Sequence, residues 1–352
     1  MFVNPFVKNV ERIFPMQGRA GFHRYDMNEN PDTLPEEFVN QVLKEITPDF
    51  LAMYPEPNQF TQAFADSVGV DSKNVLPTNG SDRAIRSILE IFADPFKEVV
   101  TVSPSFEMYR INCLILGLKH RAVSYEDNLM FNFDHLLDTI TEQTGVVVLL
   151  NPNNPIGNAF TSEEVETLVQ KAAHVGALVI IDEAYHHFYE KSFIPLTKKY
   201  DNVVLLRTFS KIYALAACRL GVVVANENII DNLHKARLTF DVNSIALLFG
   251  LRLLQNPSIL DNLKASAKEG MTFVEQKLTE EGYEFKQSHA NFLLIRTKTD
   301  PIALTQRLEA NHKVLIHAYG NPLLRGFIRV SVGSPKTMLP FLNALFAEDA
   351  VQ

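Results

Sequence analysis

Short apolar runs without polar alternation recur through the middle of the chain. They lie at residues 98–102, 145–150, 177–181 and 202–206. Their Val, Ile and Leu content is typical of strands that are covered on both faces of a sheet. A further run of the same character lies at residues 220–225. Each run therefore predicts one buried strand.

Residues 161–173, between the second and third of these runs, follow a helical pattern. Apolar side chains recur there at intervals of three and four residues, beginning at Val165 and Leu168. Thr161 and Glu164 have the spacing of a capping box, and Gly176 is a suitable stop. A strand, a helix and a second strand in this order predict an α/β fold with a mostly parallel sheet between helices.

The chain changes character towards its C-terminus, where helical patterns surround isolated strands at residues 291–295 and 326–332. We predict a large domain at residues 45–245 and a smaller α+β domain at residues 246–352. Residues 1–44 are rich in Pro, Asn and charge, and we predict an arm that packs on the small domain.

The composition is that of a globular protein, and it argues against several classes of partner. The chain has 352 residues, 46% of them hydrophobic, and a net charge of −8. This balance favours neither nucleic acid nor an anionic membrane as a partner. Its two cysteines are too few for a disulfide framework, and a cytoplasmic location fits them best. The sequence contains no apolar run near the length of about 20 residues that spans a bilayer.

Polar groups follow three successive strands of the predicted sheet. They occupy residues 151–157, 182–185 and 207–211, and include an amide, a carboxylate and an amine. Each segment alone is typical of an ordinary turn or loop. Because the carboxyl ends of parallel strands meet at one edge of a sheet, we expect the three segments to converge there.

An amide, an acid and an amine together suit a pyridine aldehyde cofactor. The amine of Lys211 would condense with the aldehyde. Asp182 would pair with the protonated ring nitrogen, and Asn154 and Tyr185 would hold the ring oxygen. The aromatic ring of Phe106 would stack on the cofactor, although core packing is equally common for a phenylalanine.

The phosphate of such a cofactor needs a cradle, which residues 77–85 could supply. Gly80 permits a tight turn, and Ser81 and Asp82 begin a predicted helix whose free amides favour an anion. An ordinary helix cap is the alternative interpretation of this segment. Hydroxyls and a cation from a second segment could complete the cradle: Thr208, Ser210 and Arg219.

With these residues in view, the chain resembles the fold type I pyridoxal-phosphate aminotransferases, and within them the histidinol-phosphate aminotransferase branch. The matching motifs occur in the family's order, at residues 26–31, 54–57, 79–82, 151–157, 182–185, 207–221, 290–292 and 328–333. The resemblance implies a seven-stranded, mostly parallel sheet in the large domain and a small domain built from both chain ends.

The resemblance also implies roles for individual residues. Lys211 would bond to the cofactor and carry the proton between the substrate Cα and the cofactor. Arg329 would clamp the donor's carboxylate, a task suited to guanidinium. Tyr54 would reach the phosphate in the partner subunit, so a homodimer is implied. Further candidates for the substrate site are Asn30, Asn291 and His317.

One departure from the branch concerns the substrate. An arginine that meets the substrate's distal phosphate is usual where this chain has His317, and a neutral histidine would serve a phosphate poorly. Other cations could substitute for that arginine: Arg19, Arg24 and Arg325.

Rival functions are less well supported by the sequence. His186 and His187 are adjacent and without a suitably spaced third ligand, so we expect no metal site. No Gly-x-Gly-x-x-Gly motif and no Gly-Lys pair occurs, which argues against a nucleotide-dependent oxidoreductase and a P-loop enzyme. Residues 1–44 are too short and too rich in Pro and Asn for the DNA-binding part of a regulator.

The prediction is an aminotransferase that uses pyridoxal phosphate, with glutamate as donor. A decarboxylase or lyase of the same fold stays open as the alternative.

Overall fold

The computed structural model describes residues 1–8, 10–11 and 17–350. In this part of the chain the strands are β1 (His23–Arg24), β2 (Val75–Asn79), β3 (Glu98–Ser103), β4 (Lys119–Ser124), β5 (Thr144–Leu150), β6 (Leu178–Asp182), β7 (Val203–Thr208), β8 (Leu220–Ala225), β9 (Phe285–Lys286), β10 (Phe292–Arg296), β11 (Val314–Leu315), β12 (His317–Ala318) and β13 (Phe327–Ser331).

The α-helices are α1 (Pro5–Lys8), α2 (Glu36–Leu43), α3 (Pro48–Ala52), α4 (Asn58–Val68), α5 (Gly80–Phe92), α6 (Met108–Leu116), α7 (Phe133–Thr139), α8 (Ser162–His174), α9 (Ile194–Lys199), α10 (Glu227–Ala236), α11 (Ser244–Leu254), α12 (Pro257–Glu280), α13 (Pro301–His312) and α14 (Pro335–Glu348). Helix α8 begins with the predicted capping box, in which Thr161 and Glu164 satisfy each other's backbone N–H groups.

A seven-stranded sheet in the order β2-β8-β7-β6-β5-β3-β4 forms the centre of the structure. Strand β8 runs antiparallel to both of its neighbours, and the other pairs are parallel. The predicted α/β fold with a mostly parallel, seven-stranded sheet is therefore confirmed. Strands β5, β6 and β7 are adjacent, with Leu150 paired to Asp182 and Asp182 paired to Leu206. The segments that follow these three strands consequently meet at one edge of the sheet, as predicted.

Helices cover both faces of this sheet. Val147 and Leu149 of β5 belong to one hydrophobic cluster, whereas Val146 and Val148 belong to the cluster on the opposite face. Successive strand residues point to opposite faces, so both sets are buried here and β5 is apolar from Val146 to Leu150. Because both faces of the sheet are covered, the polar segments after β5, β6 and β7 lie at the carboxyl ends of the strands.

A smaller antiparallel sheet, in the order β12-β13-β10-β9, packs against α12, α13 and α14. Strand β1 pairs with β11 beside it, and the Tyr25 carbonyl accepts the backbone N–H of Ser331. The smaller α+β layer is therefore built from both chain ends, as predicted. Helix α1, at the start of the predicted arm, lies against α6. The domain boundaries at residues 44 and 245 stay a prediction.

No helix in the described ranges is long and apolar enough to cross a membrane.

Candidate active site

Asp182 ends strand β6 at the edge where the polar segments converge. Only 2% of the residue is exposed. Its Oδ2 accepts a hydrogen bond of 2.8 Å from the Tyr109 hydroxyl, and its Oδ1 accepts the Ala184 backbone N–H at 3.1 Å. Burial raises the pKa of Asp182 to about 6, and the Tyr109 hydrogen bond opposes that rise. The carboxylate is thus mostly ionised at neutral pH.

Lys211 follows strand β7 on the same edge of the sheet. Its Nζ donates to the Met27 carbonyl at 3.1 Å and lies 5.6 Å from the centre of the Tyr185 ring. Burial, followed by repulsion from Arg329, lowers the pKa of Lys211 to about 8. Lys211 also acts electrostatically on Asp182. The structure therefore brings the predicted amine and acid together.

Tyr185 and Asn154 lie between this edge and the small sheet. The Tyr185 hydroxyl is buried and accepts a hydrogen bond of 2.9 Å from Asn28 Nδ2. Burial raises the pKa of Tyr185 to about 12, so the phenol keeps its proton at neutral pH. Asn154 Oδ1 accepts from Arg329 Nη1 at 2.7 Å. Phe106 packs in the same hydrophobic cluster as Tyr185.

Arg329 extends from β13 of the small sheet towards the large one. Besides its bond to Asn154, its Nη2 donates to the Asp26 carbonyl at 2.6 Å. Its guanidinium lies 6.0 Å from the centre of the Tyr319 ring. The buried Nε of Arg329 has no hydrogen-bond partner among the described residues. A buried N–H without a partner is costly, so the site has the capacity to bind an acceptor here.

Residues 26–30, here called the bridging segment, pass between the two sheets. Their carbonyl groups accept hydrogen bonds from Arg329 at Asp26, from Lys211 at Met27 and from Asn291 at Asn28. Asn28 is buried and adopts a left-handed φ of 54°. This backbone therefore positions side chains from both sheets at once.

The start of α5 lies beside Arg219 and forms a cradle with donors for an anion. The helix has no side-chain cap on its first amides, which belong to the turn with Ser81 and Asp82. Gly80 has φ +72°, and a Cβ there would lie 2.6 Å from Arg219 Nη2. A Cβ on Gly221 would lie equally close, 2.6 Å, to the Ser81 N. Both glycines thus permit the close approach of donors that the predicted phosphate cradle needs.

Two hydroxyls complete this cradle. Ser210 Oγ accepts from Arg219 Nη1 at 3.3 Å, and Thr208 Oγ1 accepts the Ser210 backbone N–H at 3.1 Å. Asp82 Oδ2 lies 3.5 Å from Arg219 Nη2, so the cation has an anionic neighbour. Five of the residues predicted to surround the phosphate therefore lie close together: Ser81, Asp82, Thr208, Ser210 and Arg219.

Two predicted site residues, Tyr54 and Asn30, make contacts other than those predicted for them. Tyr54 is 72% exposed, and its ring stacks on Phe240 with centres 4.0 Å apart. Asn30 donates to the Ile212 carbonyl and accepts the Asp32 N–H, so its amide is already engaged by backbone. The substrate role of Asn30 and the phosphate role of Tyr54 stay predictions.

Asn291 and His317 lie near Arg329. Asn291 donates to the Asn28 carbonyl, and its buried Oδ1 has no partner within the described ranges. His317 is paired with Arg329 across the β12–β13 ladder, and its ring contacts Tyr319. Burial and repulsion from Arg329 lower the pKa of His317 to about 4, so it is neutral at pH 7.

The arginines that could replace a distal-phosphate ligand are mostly engaged. Arg19 forms ion pairs with Asp26 at 2.5 Å and with Glu29 at 2.9 Å. Arg24 lies 3.4 Å from Glu29. Arg325 is exposed after a short 3-10 turn.

Sequence reasoning missed the contributions of Tyr109, Asn28 and Tyr319. Tyr109 is 2% exposed, and a buried phenol needs a hydrogen-bond partner. Tyr109 lies only three residues after Phe106, a predicted site residue, and this proximity could have indicated that Tyr109 also belongs to the site. Asn28 lies in the motif at residues 26–31 that resembles the family. The residue types of this motif do not indicate which atoms its backbone binds.

Residues 26–345 match the family described as aminotransferase class I and II. The chain is 32% identical over 326 residues to histidinol-phosphate aminotransferase 1 of Carboxydothermus hydrogenoformans, covering 92% of this chain and 91% of that protein. It is 30% identical over 334 residues to histidinol-phosphate aminotransferase of Ruminiclostridium cellulolyticum, covering 92% of each.

The fold is also found in the crystal structure of histidinol-phosphate aminotransferase from Sinorhizobium meliloti in complex with pyridoxal-5'-phosphate. That chain superposes with a TM-score of 0.88 at 22% identity, over 97% of this chain and 96% of that one. Family match, relatives and fold agree with the arrangement of side chains at the sheet edge. The chain belongs to the class I and II aminotransferases.

Proposed function

We propose that this aminotransferase uses pyridoxal 5'-phosphate to exchange an amino group between two pairs of compounds, as the histidinol-phosphate aminotransferases do. One pair is glutamate and 2-oxoglutarate, and the other is a small amino acid or amino phosphate and its carbonyl counterpart. One observation carries the proposal: Lys211 and Asp182 lie on one edge of the sheet, with an anion cradle beside them. The relatives at 30% and 32% identity favour transamination over the decarboxylase or lyase alternative.

The side chains fit this cofactor in chemistry as well as in position. The uncapped start of α5 and the nearby Arg219 suit a phosphate. An ionised, buried Asp182 suits a protonated ring nitrogen, and an amine with a lowered pKa suits an aldehyde. The unpartnered Nε of Arg329 suits the carboxylate of a substrate.

When bound, pyridoxal phosphate supplies an aldehyde that accepts the amino group and a ring that accepts the electron pair released at the substrate Cα. Lys211 removes the proton from Cα and returns it on the cofactor side, which requires the neutral amine. With a pKa of about 8, a larger share of Lys211 is neutral at pH 7 than of an ordinary lysine. The lowered pKa thus favours the form that can take up a proton.

The other residues of the site orient the cofactor and hold the substrate. Asp182 keeps its negative charge towards the ring nitrogen, and Tyr185 and Asn154 direct hydrogen-bonding groups to the ring oxygen. Phe106, which packs beside Tyr185, would lie against one face of the ring and exclude water there. Arg329 binds the substrate carboxylate through a guanidinium that Asn154 and Asp26 already hold in place.

We further propose a cytoplasmic homodimer in which Tyr54 contacts the phosphate in the partner subunit. Exposed apolar side chains precede Tyr54 in the chain, namely Leu51 at 63% and Met53 at 55%. A surface of this kind is typical of an interface between subunits. The predicted result of sedimentation is a dimer, and a fully active monomer would contradict the role of Tyr54.

The function is tested by half-reactions followed through the visible spectrum of the bound cofactor. Glutamate, histidinol phosphate and aromatic amino acids are each mixed with the holoenzyme, and 2-oxoglutarate is then added to reverse the change. The expected result is a reversible spectral change without release of carbon dioxide. Carbon dioxide release in step with the spectral change would favour the decarboxylase instead.

The distal group of the acceptor can be tested at His317. His317 is neutral, and Arg19 and Arg24 are paired with acids, so these three residues offer a distal phosphate little free positive charge. His317→Arg should therefore lower KM for histidinol phosphate more than KM for glutamate. His317→Gln, which adds no charge, is the matched control.

A further inference from the structure

Tyr109 is a buried phenol whose contact with Asp182 the proposed chemistry does not yet use. It lies in the first turn of α6, is 2% exposed and packs in the apolar cluster on one face of the large sheet. Its ring meets Phe106 edge to face, with centres 6.5 Å apart and an interplanar angle of 82°. Packing therefore fixes the direction in which the hydroxyl points.

That hydroxyl is directed at the acid of the site. It donates to Asp182 Oδ2 at 2.8 Å, while the Ala184 backbone N–H donates to Oδ1 at 3.1 Å. A carboxylate has about four acceptor positions, so two remain for a ligand. The two donors hold the carboxylate plane, because rotation about χ2 would break both bonds.

The hydrogen bond also affects the charge of Asp182. Burial makes ionisation of this carboxyl harder, and donation from Tyr109 makes it easier. The other titratable groups that face Asp182 are Asp82, which opposes its ionisation, Lys211, which favours it, and Tyr185. Burial and Asp182 together raise the pKa of Tyr109, so the phenol stays a donor.

We propose that Tyr109 is a positioning residue that orients the Asp182 carboxylate and keeps it ionised towards the ring nitrogen of the cofactor. This inference rests on the proposed function. A phenylalanine would fill the same space in the apolar cluster, so the hydroxyl is not needed for packing. Burying this hydroxyl is favourable because it donates a charge-assisted hydrogen bond to the Asp182 carboxylate.

The test compares the affinity of wild type and of one variant for two ligands, as in a double-mutant cycle. Wild type and Tyr109→Phe are stripped of cofactor and titrated with pyridoxal phosphate and with its 1-deaza analogue, which has carbon in place of the ring nitrogen. Tyr109→Phe should bind pyridoxal phosphate about tenfold more weakly and the analogue as tightly as wild type does. Equal loss for both ligands, or no loss for either, would overturn the inference.

Tyr283→Phe is the matched control, since Tyr283 is a buried tyrosine that faces the buried carboxylate of Asp349 in the small layer. It should leave both affinities unchanged. A second readout is the nitrogen NMR signal of ring-labelled pyridoxal phosphate, which should move towards the neutral ring in Tyr109→Phe at pH 8. A signal identical to that of wild type contradicts the proposed role.

If Tyr109→Phe does not fold, 3-fluorotyrosine at position 109 replaces it. The more acidic phenol is a stronger donor, so it should tighten binding of pyridoxal phosphate without tightening binding of the analogue. A wild-type protein that binds neither ligand would refute the proposed function itself. A wild type that binds pyridoxal phosphate more tightly than the analogue, combined with fluorinated protein that shows no change, would refute only the role of Tyr109.

Discussion

The pKa of Lys211 gives the sharpest test of the site, because its neighbours push it in opposite directions. Burial and Arg329 lower it to about 8, whereas Glu29 raises it. Removing the positive charge in Arg329→Gln should therefore raise the pKa of Lys211. Removing the negative charge in Glu29→Gln should lower it. Each change replaces a charge with a neutral amide.

The expected change in the pKa of Lys211 follows from the causes that lower it in the structure. Burial is the largest cause of the lowered pKa, and burial stays in both variants. Each variant should therefore move the pKa by about one unit or less. At pH 7 a rise of one unit would reduce the neutral amine about tenfold.

Competitive acetylation of the cofactor-free protein measures this quantity directly. The protein is labelled over a range of pH with a trace of acetic anhydride and a reference amine, and mass spectrometry follows the peptide that contains Lys211. The wild-type labelling curve should have its midpoint near pH 8. The peptide that contains Lys97, a half-buried lysine of the same chain, is followed in parallel as an internal reference. A wild-type midpoint near 10, or movement of both variants in the same direction, would refute the reasoning.

Three further outcomes follow from contacts in the structure. Lys211→Ala should bind the cofactor but lose turnover by several orders of magnitude, and borohydride should no longer fix the cofactor mass to the protein; near-normal turnover would disprove the proton-carrying role. Cofactor affinity should fall as the pH drops through about 6, because Asp182 is then protonated, and Asp182→Asn should show weak binding without that step. Arg207→Met leaves the fully buried Glu183 without its ion-pair partner at 2.6 Å, which should cost about 3–5 kcal/mol in the free energy of unfolding. Arg121→Met, at a more exposed pair, should cost less than about 1 kcal/mol in the same urea titration.

The large sheet was predictable because its strands are buried on both faces. Residues such as Val146 and Val147 belong to opposite clusters, so both must be apolar, and an unbroken apolar run results. The pairing of Asp182 with Leu150 and Leu206 then followed from parallel strand order alone. The amine and the acid of the site were therefore accessible to reasoning from sequence.

The rest of the site depends on contacts between distant segments. Asn28 reaches Tyr185 across 157 positions of the chain, and the Asp26 carbonyl reaches Arg329 across 303. The second is made by a backbone carbonyl, which every residue type carries, so the sequence holds no signal for it. The Asn30 amide likewise binds two backbone groups, the Ile212 carbonyl and the Asp32 N–H, and neither contact was indicated by the sequence.

The bridging segment links the evolution of two parts of the site. Its carbonyls hold Lys211 from one sheet and Arg329 from the other, at atoms only one residue apart in the chain. A shift of this backbone that admitted a larger substrate would displace the amine and the carboxylate-binding cation together. Descendants of this enzyme that acquire new substrates should therefore keep residues 26–30 in place and change side chains such as His317 and Tyr319, whose replacement leaves that backbone untouched.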